Sequence, residues 1–127
     1  MPTFEKIVLY TDADGFARFR TEVIELAGGS EAAALSDLMS SGGYQLRCSP
    51  IGFRSQFHCT LTAQWVFILQ GQMQIGLQDG SVRTFKAGEH FYSADHLPEG
   101  QVFDAKRHGH WSAQAGSQEL RTLFVRG

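Results

Sequence analysis

Turn signals break this chain every few residues, and that spacing limits the fold more than any other feature. Asp12-Ala13-Asp14-Gly15, Ser40-Ser41-Gly42-Gly43, Gln70-Gly71, Gln78-Asp79-Gly80-Ser81, Ala87-Gly88 and Ala115-Gly116-Ser117 are all turn-prone runs. Gly reaches positive φ at no steric cost, and Asp and Ser bond their own backbone. The segments between them suit strands, with loose apolar alternation and many aromatic residues, ten of them Phe. Strands are expected over 6–10, 19–26, 44–48, 55–60, 64–69, 72–77, 82–86, 90–93, 110–114 and 120–125. Asp79-Gly80 between alternating runs is a strong hairpin signal. One short helix is expected over 30–39, where Ser30 suits an N-cap, Glu31 the first turn and 32–39 the helix body. A single helix cannot supply the crossovers of an α/β sheet, so the fold class is all-β, a sandwich or barrel.

With 127 residues, no repeat and no linker, the chain reads as one domain over 1–127. Eleven basic against thirteen acidic residues leave a net charge of -2 and no basic stripe, so no nucleic-acid partner is expected. The longest apolar run, Val66-Phe67-Ile68-Leu69, is far too short to cross a membrane as a helix. The opening residues MPTFEKIVLY lack the basic start and long apolar run of a signal peptide, so a cytoplasmic location is the default expectation. Cys48 and Cys59 read as reduced bystanders.

Chemistry concentrates between Gly52 and Gly71. His58 and Thr60 are two apart and share a face of an extended segment, as do Gln64, Val66 and Ile68. If Val66 and Ile68 face inward, a His, a Thr and a Gln meet at one end of an apolar interior, the composition of a small-molecule pocket. Cys59 should point away from His58 and Thr60, with no base placed to activate it. Arg47, Arg54 and Arg83 lie on or near strands, where an inward Arg would clamp a carboxylate. No nucleophile elbow, phosphate loop or dinucleotide fingerprint is present.

This spacing resembles the cupin superfamily. That family's first motif runs Gly, five residues, His-x-His, three or four residues, Glu, six residues, Gly. Here Gly52 is followed after five residues by His58-x-Thr60, after three more by Gln64, and after six more by Gly71. Thr60 and Gln64 depart from the family's His and Glu. The second motif has two placements. Without gaps, Gly80 and Gly88 match, Phe91 stands at the His and Asp95 at the Asn. Starting at Gly88, Ala94 stands at the Pro, eleven extra residues intervene, His110 takes the His place and Gln114 the Asn. The second placement leaves sixteen residues after Gly71 for the two strands expected there, and is preferred. The resemblance covers residues 44–125 best, with 95–109 as a loop insertion.

The resemblance implies a double-stranded β-helix, or jelly-roll, barrel. It also implies a ligand pocket of His58, Thr60, Gln64, His110 and Gln114, and a homodimer. In the family a divalent first-row metal is held by three His and one Glu. Carried over by position, Fe, Zn, Mn or Ni would sit on His58, Gln64 and His110, with His108 as a substitute ligand. A metal-free pocket lined by hydrogen-bonded His58 and His110 is the other reading. His96 is a further candidate, and loop 95–109 is either a lid or a solvated insertion. Three functions follow: a barrel binding a small organic molecule, acidic or not; a metal-dependent oxygenase, isomerase or lyase acting on a small organic acid; or a non-catalytic dimeric interaction module.

Overall fold

The computed structural model describes residues 2–127. They form eleven strands and no helix. In chain order these are β1 (Thr3–Thr11), β2 (Ala17–Glu25), β3 (Gly28–Gly29), β4 (Ala34–Leu35), β5 (Tyr44–Ser49), β6 (Gln64–Gln70), β7 (Gln72–Gly76), β8 (Val82–Lys86), β9 (His90–Ser93), β10 (Trp111–Ala115) and β11 (Leu120–Arg126). The turn-delimited expectations fall on β1, β2 and β5–β11 with shifts of a few residues at most. The Asp79-Gly80 hairpin joins β7 to β8 in register, Gln72 opposite Lys86 through Gly76 opposite Val82. Among the described residues no helix is long and apolar enough to cross a membrane.

The strands make two main sheets. Six are ordered β2-β1-β9-β6-β11-β5, and three are ordered β10-β7-β8. All pairings in them are antiparallel except the short β1–β9 contact, where Val8 meets Tyr92 and Leu9 meets Ser93. The alternating inward residues meet between the sheets as one core of Leu9, Val66, Ile68, Met73, Ile75, Phe85, Phe91 and Leu120. Beyond the charged outer side of β2, most outward residues of the larger sheet are apolar too. Phe4, Trp65, Phe67, His90 and Tyr92 form one aromatic cluster there, with the Lys6 ammonium 3.9 Å from the Tyr92 ring centre. Tyr44 and Leu46 continue that face through their partners Val125 and Leu123.

Two expected elements are not formed. The helix at 30–39 is replaced by an exposed arm, in which β3 and β4 pair over two residues across a turn bonded between Ser30 and Ala33. Ten residues fall below the length at which an isolated helix holds together in water, and this segment has no apolar stripe docked on the core. The strand at 55–60 is reduced to isolated bridges, Arg54 with Ala113 and His58 with His110. The loop after β9 is long, as expected, but it is pinned down. Arg107 donates to the Asp14 carbonyl, and the Gln78 amide donates to the Ala105 and His108 carbonyls.

Phe85 is 3% exposed and packs between Phe19 and Phe91, with ring centres at 5.8 and 4.7 Å. It is the main side chain through which β8 reaches the core. Phe85→Ala should cost about 3–5 kcal/mol, read as a lower urea midpoint at unchanged m-value. A cost under about 1 kcal/mol would show that the sheets do not meet at this ring.

Candidate functional site

Backbone geometry brings His58 and His110 together. The two residues exchange both backbone hydrogen bonds, at 2.9 and 3.0 Å, and so lie directly opposite. Their side chains leave on one side, with ring centres 4.7 Å apart. Gly109 makes this approach possible. Its φ is +83°, and a Cβ there would stand 2.5 Å from the His58 carbonyl oxygen, so a larger residue would force the bridge apart.

Around this pair lies a cavity of about 360 Å³. Its walls are Val66, Met73, Ile75, Phe91 and Phe124, its polar groups include His58, Thr60, Gln64, Ser93 and His110, and Arg47 and Arg126 border it. That volume suits a small organic molecule. The largest concavity is elsewhere. A groove of about 730 Å³ runs over the outer face along Phe4, Trp65, Phe67, Leu38 and Met39. Its lining is mainly apolar, with Lys6 and Arg126 as its charged side chains, whereas the smaller cavity pairs two imidazoles and is the better site for chemistry.

Asp95 organises the polar end. It is fully buried, and each carboxylate oxygen has a partner. The Thr11 hydroxyl donates to Oδ1 at 2.8 Å, and His110 Nδ1 lies 2.8 Å from Oδ2. Its backbone carbonyl accepts from Thr60 N–H at 2.6 Å. Thr60 in turn shares a 2.7 Å hydroxyl–hydroxyl bond with Ser93. His58 Nδ1 sits 2.9 Å from the Gln56 carbonyl, an acceptor, so this nitrogen carries the proton and Nε2 does not. Burial is the largest cause holding His58 below the ordinary imidazole value. The Gln56 carbonyl opposes it, and a charge on His110 adds to the lowering. Burial, then Asp95, pushes the Cys59 thiol up to about 11. Cys59 borders the cavity but is no nucleophile.

Of the expected pocket residues, His58, Thr60, Gln64 and His110 all line the cavity. Gln114 does not. Its amide is spent on backbone, accepting from Gly52 N–H and donating to the carbonyls of Ala115, Gly116 and Gln118. His108 is no substitute ligand. Both its nitrogens are committed inside the loop, Nδ1 to Asp104 N–H at 2.9 Å and Nε2 to the Gln101 amide oxygen at 2.7 Å. His96 bonds Thr11 at the loop's start, and none of 96–109 lines the cavity. The loop is exposed over residues 99–107 and tied down by Arg107 and by Gln78. Arg54 stacks on Trp111 and Arg83 lies over Phe19 and Phe85, so of the three strand arginines only Arg47 borders the cavity. The functional positions missed in sequence are Asp95, Thr11 and Ser93. One signal for Asp95 existed, since the ungapped second motif sets it at the Asn place.

A resident first-row ion requires three or four protein donors. The cavity offers two imidazoles, the neutral Gln64 amide and a Thr60 hydroxyl already bonded to Ser93. Among the described residues no group of three or more His, Cys, Asp or Glu is placed to hold a metal. The residues present do not fit the implied ion, and no step below runs through one. No protein-family model matches the chain, and no curated protein matches it either.

The lowered His58 value has a consequence for stability. The unfolded imidazole, near 6.5, takes up its proton before the folded one does as pH falls. His58's contribution is therefore intact above 6.5 and is lost as pH drops from there toward its lowered folded value. His90, on the outer face, is shifted the same way by burial and adds to the slope. Urea midpoints at pH 7.5 and 5.5 should fall less in His58→Asn than in the native chain. Equal falls would mean that His58 is not held neutral.

Proposed function

We propose that this chain is a small cupin-type jelly roll that binds a small organic acid at the open end of its inter-sheet cavity. The spacing of Gly52, His58, Gln64 and Gly71 supports the family, and the two facing antiparallel sheets are compatible with it. One observation carries the ligand class. Two solvent-exposed arginines, Arg47 and Arg126, border a cavity with apolar walls and a polar end, and among the described residues neither is ion-paired. Among the described residues no carboxylate lines the cavity, and Asp95, behind His110, is already bonded to Thr11 and His110. A carboxylate ligand would supply the missing charge at Arg47, whose guanidinium lies 4.9 Å from the Phe53 ring centre and 5.9 Å from that of Phe124. The ligand's apolar body would cover Val66, Met73 and Phe91.

Thermal shift followed by calorimetry with propanoate, 2-oxobutanoate, succinate and benzoate tests this. At least one acid should bind, its amide should not, and Arg47→Ala should weaken binding roughly tenfold or more. Equal binding of acid and amide would remove the acidic-ligand class.

The partner this reading favours is a second copy of the chain. The outer face of the six-stranded sheet is apolar from Phe4 to Leu46, and its one cation beside the aromatic cluster, Lys6, lies over Tyr92 and Trp65. Five strands, from β1 to β5 across the sheet, at about 4.8 Å spacing over some six residues of about 3.3 Å each give a face on the order of 500 Å². Together with the exposed arm carrying Leu35, Leu38 and Met39, that approaches the ~800 Å² per partner of a stable interface. Light scattering should give a dimer at micromolar concentration. Leu46→Glu, at a site 72% exposed in the single chain, should give a folded monomer. A native monomer at tens of micromolar would overturn the pairing.

A further inference from the structure

We propose that the cavity is a proton-transfer site: His110 Nε2, oriented by Asp95, removes a proton from the carbon beside the carbonyl of a small 2-oxo acid and returns it. The proposal rests on acid binding at Arg47 and extends it to chemistry.

Two histidines, one in the loop and one just after it, differ in how their ring nitrogens are used. His108 and His110 are each 3% exposed. His108 has both ring nitrogens bonded to protein, as a structural histidine should. His110 has only Nδ1 bonded, to Asp95. Every buried side-chain nitrogen and oxygen among the described residues has a partner. His110 Nε2 has no protein partner, so it keeps exposed surface, and the surface this residue presents is the cavity wall. An ionised Asp95 only accepts, so Nδ1 is the protonated nitrogen and Nε2 is the basic one. Thr11 holds the other carboxylate oxygen, which fixes the carboxylate and, through it, the imidazole plane. This is the arrangement of a general base with its orienting acid, and the buried anion offsets the charge that the imidazole gains with a proton.

The other groups complete the step. Thr60 and Ser93 bond to each other, which uses one hydroxyl proton and leaves the second free to donate to a ligand oxygen. His58 Nε2 is a second unprotonated nitrogen beside the first. With the ligand carboxylate at Arg47, the C3–H bond of a 2-oxo acid breaks and its proton goes to His110 Nε2. The C–H electron pair becomes the C2–C3 π bond, and the carbonyl π pair moves onto oxygen, to which the free hydroxyl donates a hydrogen bond. Return of the proton from His110 Nε2 to C3 restores the substrate, and exchange of that proton with solvent while it sits on the imidazole labels C3. No electrons leave the substrate and no co-reactant is needed.

Exchange in deuterium oxide tests this with pyruvate, 2-oxobutanoate and 2-oxoglutarate as probes, followed by loss of the C3 proton signal in NMR. Native protein should exchange at least one of them faster than buffer alone, and His110→Gln should lower that rate about 100-fold or more while the acid still binds. Asp95 is a positioning residue. In Asp95→Asn the imidazole nitrogen shifts should report loss of the single tautomer, with a fall in exchange; should that variant not fold, His110→Gln decides alone. Exchange unchanged in His110→Gln overturns the role of this base. Binding that depends on Arg47, without exchange of any probe, overturns proton transfer and leaves the acid-binding function standing. Absence of both binding and exchange overturns the two together.

Discussion

A carboxylate with no exposed surface is costly unless every lone pair that faces the interior finds a donor. Asp95 is such a group, and much of the site is arranged around it. Its partners come from places far apart in sequence: Thr11 at the end of β1, Thr60 in the irregular crossing before β6, and His110 ahead of β10. The N-terminal hairpin is therefore not peripheral. Two parallel pairs between β1 and β9, continued by the Ala94 N–H on the Leu9 carbonyl, carry Thr11 to the carboxylate. The braced loop serves the same end, because Asp95 opens it and His110 follows its close. The loop's own bonds fix the separation of the two residues that must meet.

The strands were legible because their information is local. Alternation over two to four pairs, punctuated by glycine, fixes β5–β11 to within a few residues, and Gln64 does share a cavity with Val66 as its parity requires. The arm at 26–43 was not legible, because helix propensity in Ser30-Glu31-Ala32-Ala33-Ala34 is a weak prior that no buried face supports. Among site residues, His58 and His110 could be found by motif spacing. Asp95 is marked only by the placement not preferred, since a charged residue opening a polar loop looks solvated until tertiary contacts bury it. Gln114 failed for the opposite reason. Its position matched, but its amide caps the β10–β11 turn instead of facing the ligand space. His108 failed because spacing along a chain does not say which nitrogens a loop consumes.

The larger sheet is apolar on both faces, and the two faces solve that differently. Inside, Phe91, Val66 and Phe124 lie in one row across β9, β6 and β11 and meet Met73 and Ile75 from the opposite sheet. Outside, the cognate row of Trp65, Tyr92 and Val125 has only the thin arm beside it. An antiparallel sheet normally spends its solvent face on polar side chains. This one places charge there mainly through Lys6, stacked on aromatic rings, and through the Arg18 and Arg20 pairs on β2. The composition of that face suits contact with protein better than contact with water.

The cavity itself poses the last physical question. Val66, Met73, Ile75, Phe91 and Phe124 are core residues by composition, yet they wall about 360 Å³ of open space. Interiors pack to crystal-like density when nothing opposes it. What opposes it here is the polar rim. Moving the sheets together would press the His58 and His110 rings, the Thr60–Ser93 hydroxyls and two arginines into apolar surroundings with too few partners. The space is thus held open by groups that cannot be dehydrated without a ligand to replace water. A molecule with an apolar body and an anionic end satisfies both halves of that constraint at once, and inside it would meet the imidazole that Asp95 holds in place.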